Sequence, residues 1–182
     1  AINNAGGIFC DNSEIHIKNS IIYDNVSPRG LNQIYSYRSN LNINNTCYSN
    51  GTGDVETEGG SFLTNNCITS DPLFVDSEND DFRIMGISTC ADAGNNTYND
   101  ETYDIRGEGY PRKLDKTNGS SGTIDMGAYE YKYGTDPLAP PMELETDDEY
   151  SGISTASIIG NITEDYGINA SERGFCWNTS GT

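Results

Sequence analysis

Apolar and polar residues alternate with strand period early in the chain, and the alternation occurs twice. Laying IFCDNSEIHIKNSIIYDN (8–25) over IYSYRSNLNINNTCYSNG (34–51) puts Ile8 on Ile34, Ser13 on Ser39, Ile15 on Leu41 and Ile17 on Ile43. The same shift of 26 residues puts Asn19 on Asn45 and Ile21 on Cys47. Residues two apart share one face of a strand, so the apolar-x-apolar doublets read as strands and not as helix turns. A unit this short cannot bury its apolar face alone. Stacked copies would pair strand on strand and set like residues in columns. The Ile15/Leu41 and Ile17/Ile43 columns would then fill the interior. Asn19 and Asn45 would occupy a turn, each amide bonding to the one above it. The period and the Asn-rich corners predict an all-β chain built as a parallel β-helix.

A second pattern lies at GTIDMGAYEY (122–131), where the apolar parity changes. Ile124 and Met126 sit at even positions, Tyr129, Tyr131 and Tyr133 at odd ones. One continuous strand would bury its first half and expose its second. A bulge at Gly127 would turn Tyr129 and Tyr131 back toward the core and make the stretch a closing strand. Pro137, Pro140 and Pro141 then prevent a further coil, and 134–143 reads as a linker. Beyond it, 155–162 and 172–178 are strand-like, with Trp177 as a core residue of the second. The organisation expected is a β-helix end over 1–133, a linker, and part of a β-module over 144–182.

Composition narrows the class. The 182 residues carry 10 basic and 28 acidic side chains, a net charge of −18, with 34% hydrophobic residues. Mean hydropathy is −0.62. Twelve Tyr and regularly spaced Ile argue for a folded, turn-rich β protein rather than a disordered one. Phosphate backbones and anionic lipids would be repelled, so nucleic-acid partners and polybasic membrane binding are not expected. No apolar run reaches the roughly 20 residues of a membrane helix. The chain opens on Ala1 with no signal peptide, the expectation for a fragment or a processed product. The five cysteines form no C-x-x-C pair and there is one His, so a zinc site is not indicated. Buried free thiols are the simplest reading, with a Cys47–Cys67 bridge as the alternative.

Several short pieces occur in a specific order. They are GGIFC (6–10), ITSDPLFVD (68–76), DFRI (81–84), STCADAG (88–94), DIRG with Pro111-Arg112 (104–112) and TIDMGAYEY (123–131). Together they resemble the C-terminal portion of right-handed parallel β-helix surface proteins of bacteria and archaea, the type with an anchoring or sorting segment after the β-helix. Thr89 and Ala91 stand where that family has Pro and Ile, and Arg106 where it has an acidic residue. GNITEDYG with ERGFCW resembles the start of an immunoglobulin-like or fibronectin type III-like module. The resemblance implies an extracellular or cell-surface protein, linked to further domains of a larger chain. It also implies contact with polysaccharide or a cell-surface partner.

Candidate chemistry is sparse. Asp76, Glu78 and Asp80 have the spacing of a calcium loop, but Asp81 replaces the expected Gly and no Glu follows at the twelfth position, where Ile87 stands. A solvated turn explains the same run. Tyr35, Tyr37 and Tyr48, read as exposed, could stack on sugars, although Tyr also favours strands for packing reasons. His16 and Lys18 share an outward face. Asp92 and Asp104 should accept backbone N–H bonds in turns, and Arg112 should pair with one of them. No catalytic residue and no cofactor is assigned. The function expected is a non-catalytic stalk, adhesion or glycan-contacting role. The alternative is the end of a polysaccharide lyase or glycoside hydrolase whose active coils lie upstream of residue 1.

Overall fold

The computed structural model describes residues 5–28, 30, 33–49 and 54–140, together with the backbone of short strands within 143–164. Strands dominate; the helical elements among the described residues are two 3-10 turns, Ser77–Asn79 and Asn96–Tyr98. The chain divides into two compact units, Ala1–Leu138 and Ala139–Thr182, so the division falls inside the Pro-rich 134–143 segment.

The first unit begins with β1 (Ile8–Asp11), β2 (Glu14–Lys18) and β3 (Ile21–Ile22). Next come β4 (Ile34–Asn44), β5 (Cys47–Tyr48) and β6 (Val55–Asn65). β4 lies in parallel between β1/β2 and β6, and β3 lies in parallel beside β5. The pairs are Ile8↔Ile34, Ile15↔Leu41, Ile17↔Ile43 and Ile21↔Cys47, the register of the sequence repeat. Ile34, Leu41 and Ile43 are fully buried, each stabilising the stack by about 1.5–3 kcal/mol through loss of apolar surface to water. Ile17, Ile22 and Tyr48 join this core, with Ile15 packed on its edge.

A third copy follows at a shorter interval. Leu41 faces Phe62, Ile43 faces Thr64, and Cys47 bridges Ile68 in parallel. The copy escapes a fixed-period search because the interval drops from 26 to 21 residues and a Thr occupies its core column. Two stacked bends mark all three layers. Asn12, Arg38 and Gly59 form one column with φ of 46°, 50° and 74°, and Asn19, Asn45 and Asn66 the other with φ of 46°, 44° and 51°. Asn and Gly tolerate this left-handed conformation best, which accounts for the Asn-rich corners.

The corner amides do not bond to one another as expected. Asn19 Nδ2 donates to the Asn95 carbonyl at 3.0 Å and Asn45 Nδ2 to the Ala93 carbonyl at 3.3 Å. Both bonds anchor the returning 93–95 segment to the stack.

After Ile68 the chain leaves the parallel pattern. Pro72 is buried, Leu73 takes φ of 54°, and β7 (Phe74–Asp76) pairs antiparallel with β8 (Asp81–Ile84). Leu73 and Val75 therefore do not share one strand face. Cys47, Ile84, Cys90, Ala91, Met126 and Tyr131 make a second core cluster. The 122–131 stretch is irregular and not a strand. Ile124, Asp125 and Met126 are buried consecutively, which alternation forbids. Their N–H groups instead find the Asn96 side chain (2.9 Å), the Glu130 carboxylate (3.1 Å) and the Cys90 carbonyl (3.0 Å). Gly127 has φ of 99°, donates to the Asn19 carbonyl at 2.9 Å, and would place a Cβ 2.9 Å from Ile21 Cδ1.

In the second unit β9 (Glu143–Thr146) pairs antiparallel with β12 (Gly160–Glu164), and β10 (Tyr150–Ser151) with β11 (Ala156–Ser157). The 147–149 acidic run, the 172–178 run and Trp177 lie outside the described residues.

Candidate functional site

A cleft of about 590 Å³ opens in the first unit where three parts of the chain converge. One wall is the Asn19 corner and the residues that follow it, the second is the β7–β8 hairpin, and the third is the closing segment with Met126 and Tyr129. Each wall is held from behind. Asn19 is fixed reciprocally to Asn95, and its carbonyl accepts from Gly127. Phe74 and Phe82 of the hairpin meet edge to face at 5.4 Å, a favoured aromatic geometry. Tyr129 lies 5.6 Å from the Arg106 guanidinium, which is also 4.1 Å from the Tyr110 ring.

Arg106 is the centre of that support. Its guanidinium donates to Asp104 Oδ2 at 2.6 Å, to Asp136 Oδ2 at 3.2 Å and to the Glu130 carbonyl. Asp136 in turn accepts from Arg83 at 2.8 Å, and Arg83 is paired with Asp81 at 2.6 Å. Asp104 also accepts from the N–H groups of Arg106 (2.8 Å) and Glu130 (2.9 Å), as expected for a turn Asp. Arg83, through its hydrogen bond, holds the Asp81 carboxyl below its ordinary value.

A second buried group lies beneath. Asp125 accepts from the N–H groups of Asp92 (2.7 Å) and Tyr131 (2.5 Å), and Glu130 accepts from Leu114 N–H at 2.8 Å. Arg112 reaches Glu130 at 3.6 Å and donates to the Gly127 carbonyl at 2.8 Å, so its carboxylate partner is Glu130 rather than Asp92 or Asp104. Burial, then the neighbouring Glu130 charge, pushes Asp125 up to about 8. Burial raises Glu130 as well.

Among the described residues, the cleft lining contains no carboxylate, ammonium, guanidinium or imidazole. Tyr23, Phe74, Phe82 and Tyr129 supply rings, and Asn19, Ser20 and Asn25 supply amides and a hydroxyl. Burial, with the charges of Asp71 and Asp24, raises the Tyr23 phenol, so it stays protonated. Phe82 is 43% and Ile105 68% exposed, so apolar surface reaches the mouth. This arrangement suits recognition by ring contacts and hydrogen bonds.

The sequence-derived candidates lie elsewhere. Tyr35 and Tyr48 are buried, not exposed: Tyr35 stacks on Phe9 at 5.7 Å and donates to Glu58 at 2.7 Å, and Tyr48 packs in the first core. The Glu58 bond pushes the Tyr35 phenol up to about 12. Tyr37 is partly exposed beneath the Arg38 guanidinium, 4.7 Å from its ring. Asp76 caps the turn between β7 and β8, accepting from Asn79 N–H at 3.3 Å and its amide at 2.9 Å. Glu78 is exposed in that turn and Asp80 ends it with φ of 62°. Among the described residues no three His, Cys, Asp or Glu side chains gather in a way that could hold a metal ion.

His16 is exposed and meets Glu14 at 3.2 Å. Cys47 and Cys67 are free. Cys67 aligns one place before Ile68, the counterpart of Cys47, and no bond joins the two thiols. They donate to different carbonyls, Ser70 at 3.3 Å and Ile43 at 3.4 Å. Sequence reasoning took Phe74, Phe82 and Tyr129 only as parts of fold motifs and Tyr23 only as part of the repeat; nothing local marks any of them as cleft residues. No protein-family model, curated protein or solved structure matches the chain.

Proposed function

We propose that residues 1–133 are the last coils and cap of a right-handed parallel β-helix. In this reading the chain acts without catalysis at the cell surface or outside the cell, in a stalk, adhesion or glycan-contacting role. The observation that carries the reading is the in-register parallel stacking of Ile8 on Ile34 and of Ile34 on Val55, with bends in matching columns. Parallel layers of this kind build a repetitive surface by nearest-neighbour contacts. The irregular, densely hydrogen-bonded 122–136 region packs Met126 and Tyr131 into the second core cluster and suits a cap. The acidic surface keeps such a chain soluble and turns it away from nucleic acid.

Two measurements test the reading. Far-UV circular dichroism should be strand-dominated, and a helix-dominated spectrum would overturn the β-helix reading. Incubation with a panel of acidic and neutral polysaccharides should leave them intact. Unsaturated or newly reducing ends released by the chain would overturn the non-catalytic assignment.

A further inference from the structure

We propose that the cleft between the Asn19 corner, the β7–β8 hairpin and the closing segment binds a neutral saccharide. The inference deepens the glycan-contacting reading above and rests on it. Of 182 residues 38 are charged by the count of 10 basic and 28 acidic, yet among the described residues none of these lines the cleft. An anionic sugar would meet no cation there and would face a chain of net charge −18. A cationic ligand would find no carboxylate in the lining to pair with.

The remaining choice is between a neutral polar ligand and a purely apolar one. Aliphatic ligands favour enclosed sites, whereas Phe82 and Ile105 leave this mouth open to water. The walls also mix rings with polar groups: the Tyr23 phenol, the Ser20 hydroxyl and the Asn25 amide. Ser20 donates to the Lys18 carbonyl (2.7 Å), and Asn25 to the Tyr23 carbonyl (3.2 Å) and Gln33 (2.7 Å), leaving their oxygens to accept. A pyranose has this dual character. Its C–H face carries partial positive charge and seats on the negative face of an aromatic ring, while its hydroxyls exchange hydrogen bonds with amides and phenols. The volume of about 590 Å³ lies within the ordinary range of small-ligand sites. Phe82 offers the ring at the mouth, and Tyr129, steadied by Arg106, the ring on the facing wall.

The test uses the full 182-residue chain and isothermal titration with cellohexaose, mannohexaose and xylohexaose, with oligogalacturonate as the anionic comparison. At least one neutral hexasaccharide should bind, and Phe82→Ala should weaken it tenfold or more. Ile105→Ser, at a position even more exposed, should weaken it severalfold with an unchanged melting temperature. Tyr37→Ala, outside the cleft, should leave affinity unaltered. Binding to none of the neutral sugars, preference for oligogalacturonate, or wild-type affinity in both cleft variants would overturn the proposal. So would a loss confined to Tyr37→Ala. The β-helix reading is judged by dichroism without any sugar present. Wild-type affinity in both cleft variants counts against the cleft alone, whereas binding of no sugar counts against the glycan-contacting role as well.

Discussion

Asn19 and Asn95 exchange two hydrogen bonds across 76 residues: Asn19 Nδ2 donates to the Asn95 carbonyl at 3.0 Å, and Asn95 N–H donates to Asn19 Oδ1 at 2.8 Å. The pair ties the first layer of the stack to the returning 93–95 segment. Asn19 also holds φ of 46°, which an Ala would adopt only under strain. Asn19→Ala should cost about 2–3 kcal/mol in denaturant unfolding, combining two net hydrogen bonds with the backbone penalty. Asn19→Gly keeps the bend and should cost about 1 kcal/mol less, which separates the two contributions.

Arg38 stands in the bend column where its neighbours are Asn12 and Gly59. It carries φ of 50° without the local side-chain bonding that Asn provides. Its visible contact is the Tyr37 ring at 4.7 Å on an exposed face. Arg38→Gly should therefore stabilise the chain by roughly 0.5–1 kcal/mol, read as a higher urea midpoint with an unchanged slope. A lower midpoint would show that the ring contact outweighs the backbone strain.

Removing the Arg106 guanidinium strands carboxylates. The Asp104 and Asp136 side chains are almost wholly buried, and Arg83 reaches only Asp136. Arg106→Ala should cost about 3–5 kcal/mol, the range for unpairing a buried charge. Arg106→Lys should recover less than half of this, since an ammonium cannot span two carboxylates, the Glu130 carbonyl and the Tyr110 ring. Equal stability of the Lys variant and the parent would refute the fork geometry.

Asp125 and Glu130 give the unit an unusual pH dependence. Asp125 rises from 3.8 to about 8 in the folded chain, and Glu130 also rises. The folded state then holds more protons than the unfolded one between about pH 4 and 8. This contribution is full below the unfolded value and is lost as pH rises through the folded one. Thermal midpoints should fall from pH 5 toward pH 9. Asp125→Asn should flatten that slope, although its absolute stability drops because an amide cannot accept from both the Asp92 and Tyr131 N–H groups. An unchanged slope in Asp125→Asn would assign the dependence to other groups.

The repeat in 8–51 determined strand type, register and the choice of Ile17, Leu41 and Ile43 as core, because period-2 patterning and like-on-like stacking are local rules. Asn at the corners followed from the same cause, the left-handed backbone that a tight turn requires. What lay beyond the sequence was every relationship between segments distant along the chain. Tyr35 and Tyr48 looked like outward strand residues, but neighbouring layers and the Glu58 carboxylate cover them. The alternation in 122–131 suggested a strand, yet Asp125 and Glu130 are buried because remote N–H groups satisfy them. The cleft belongs to the same class. Tyr23, Phe82 and Tyr129 become neighbours only when the closing segment docks on the Asn19 corner, and that docking uses the bond from Gly127 N–H to the Asn19 carbonyl, which no short-range pattern encodes.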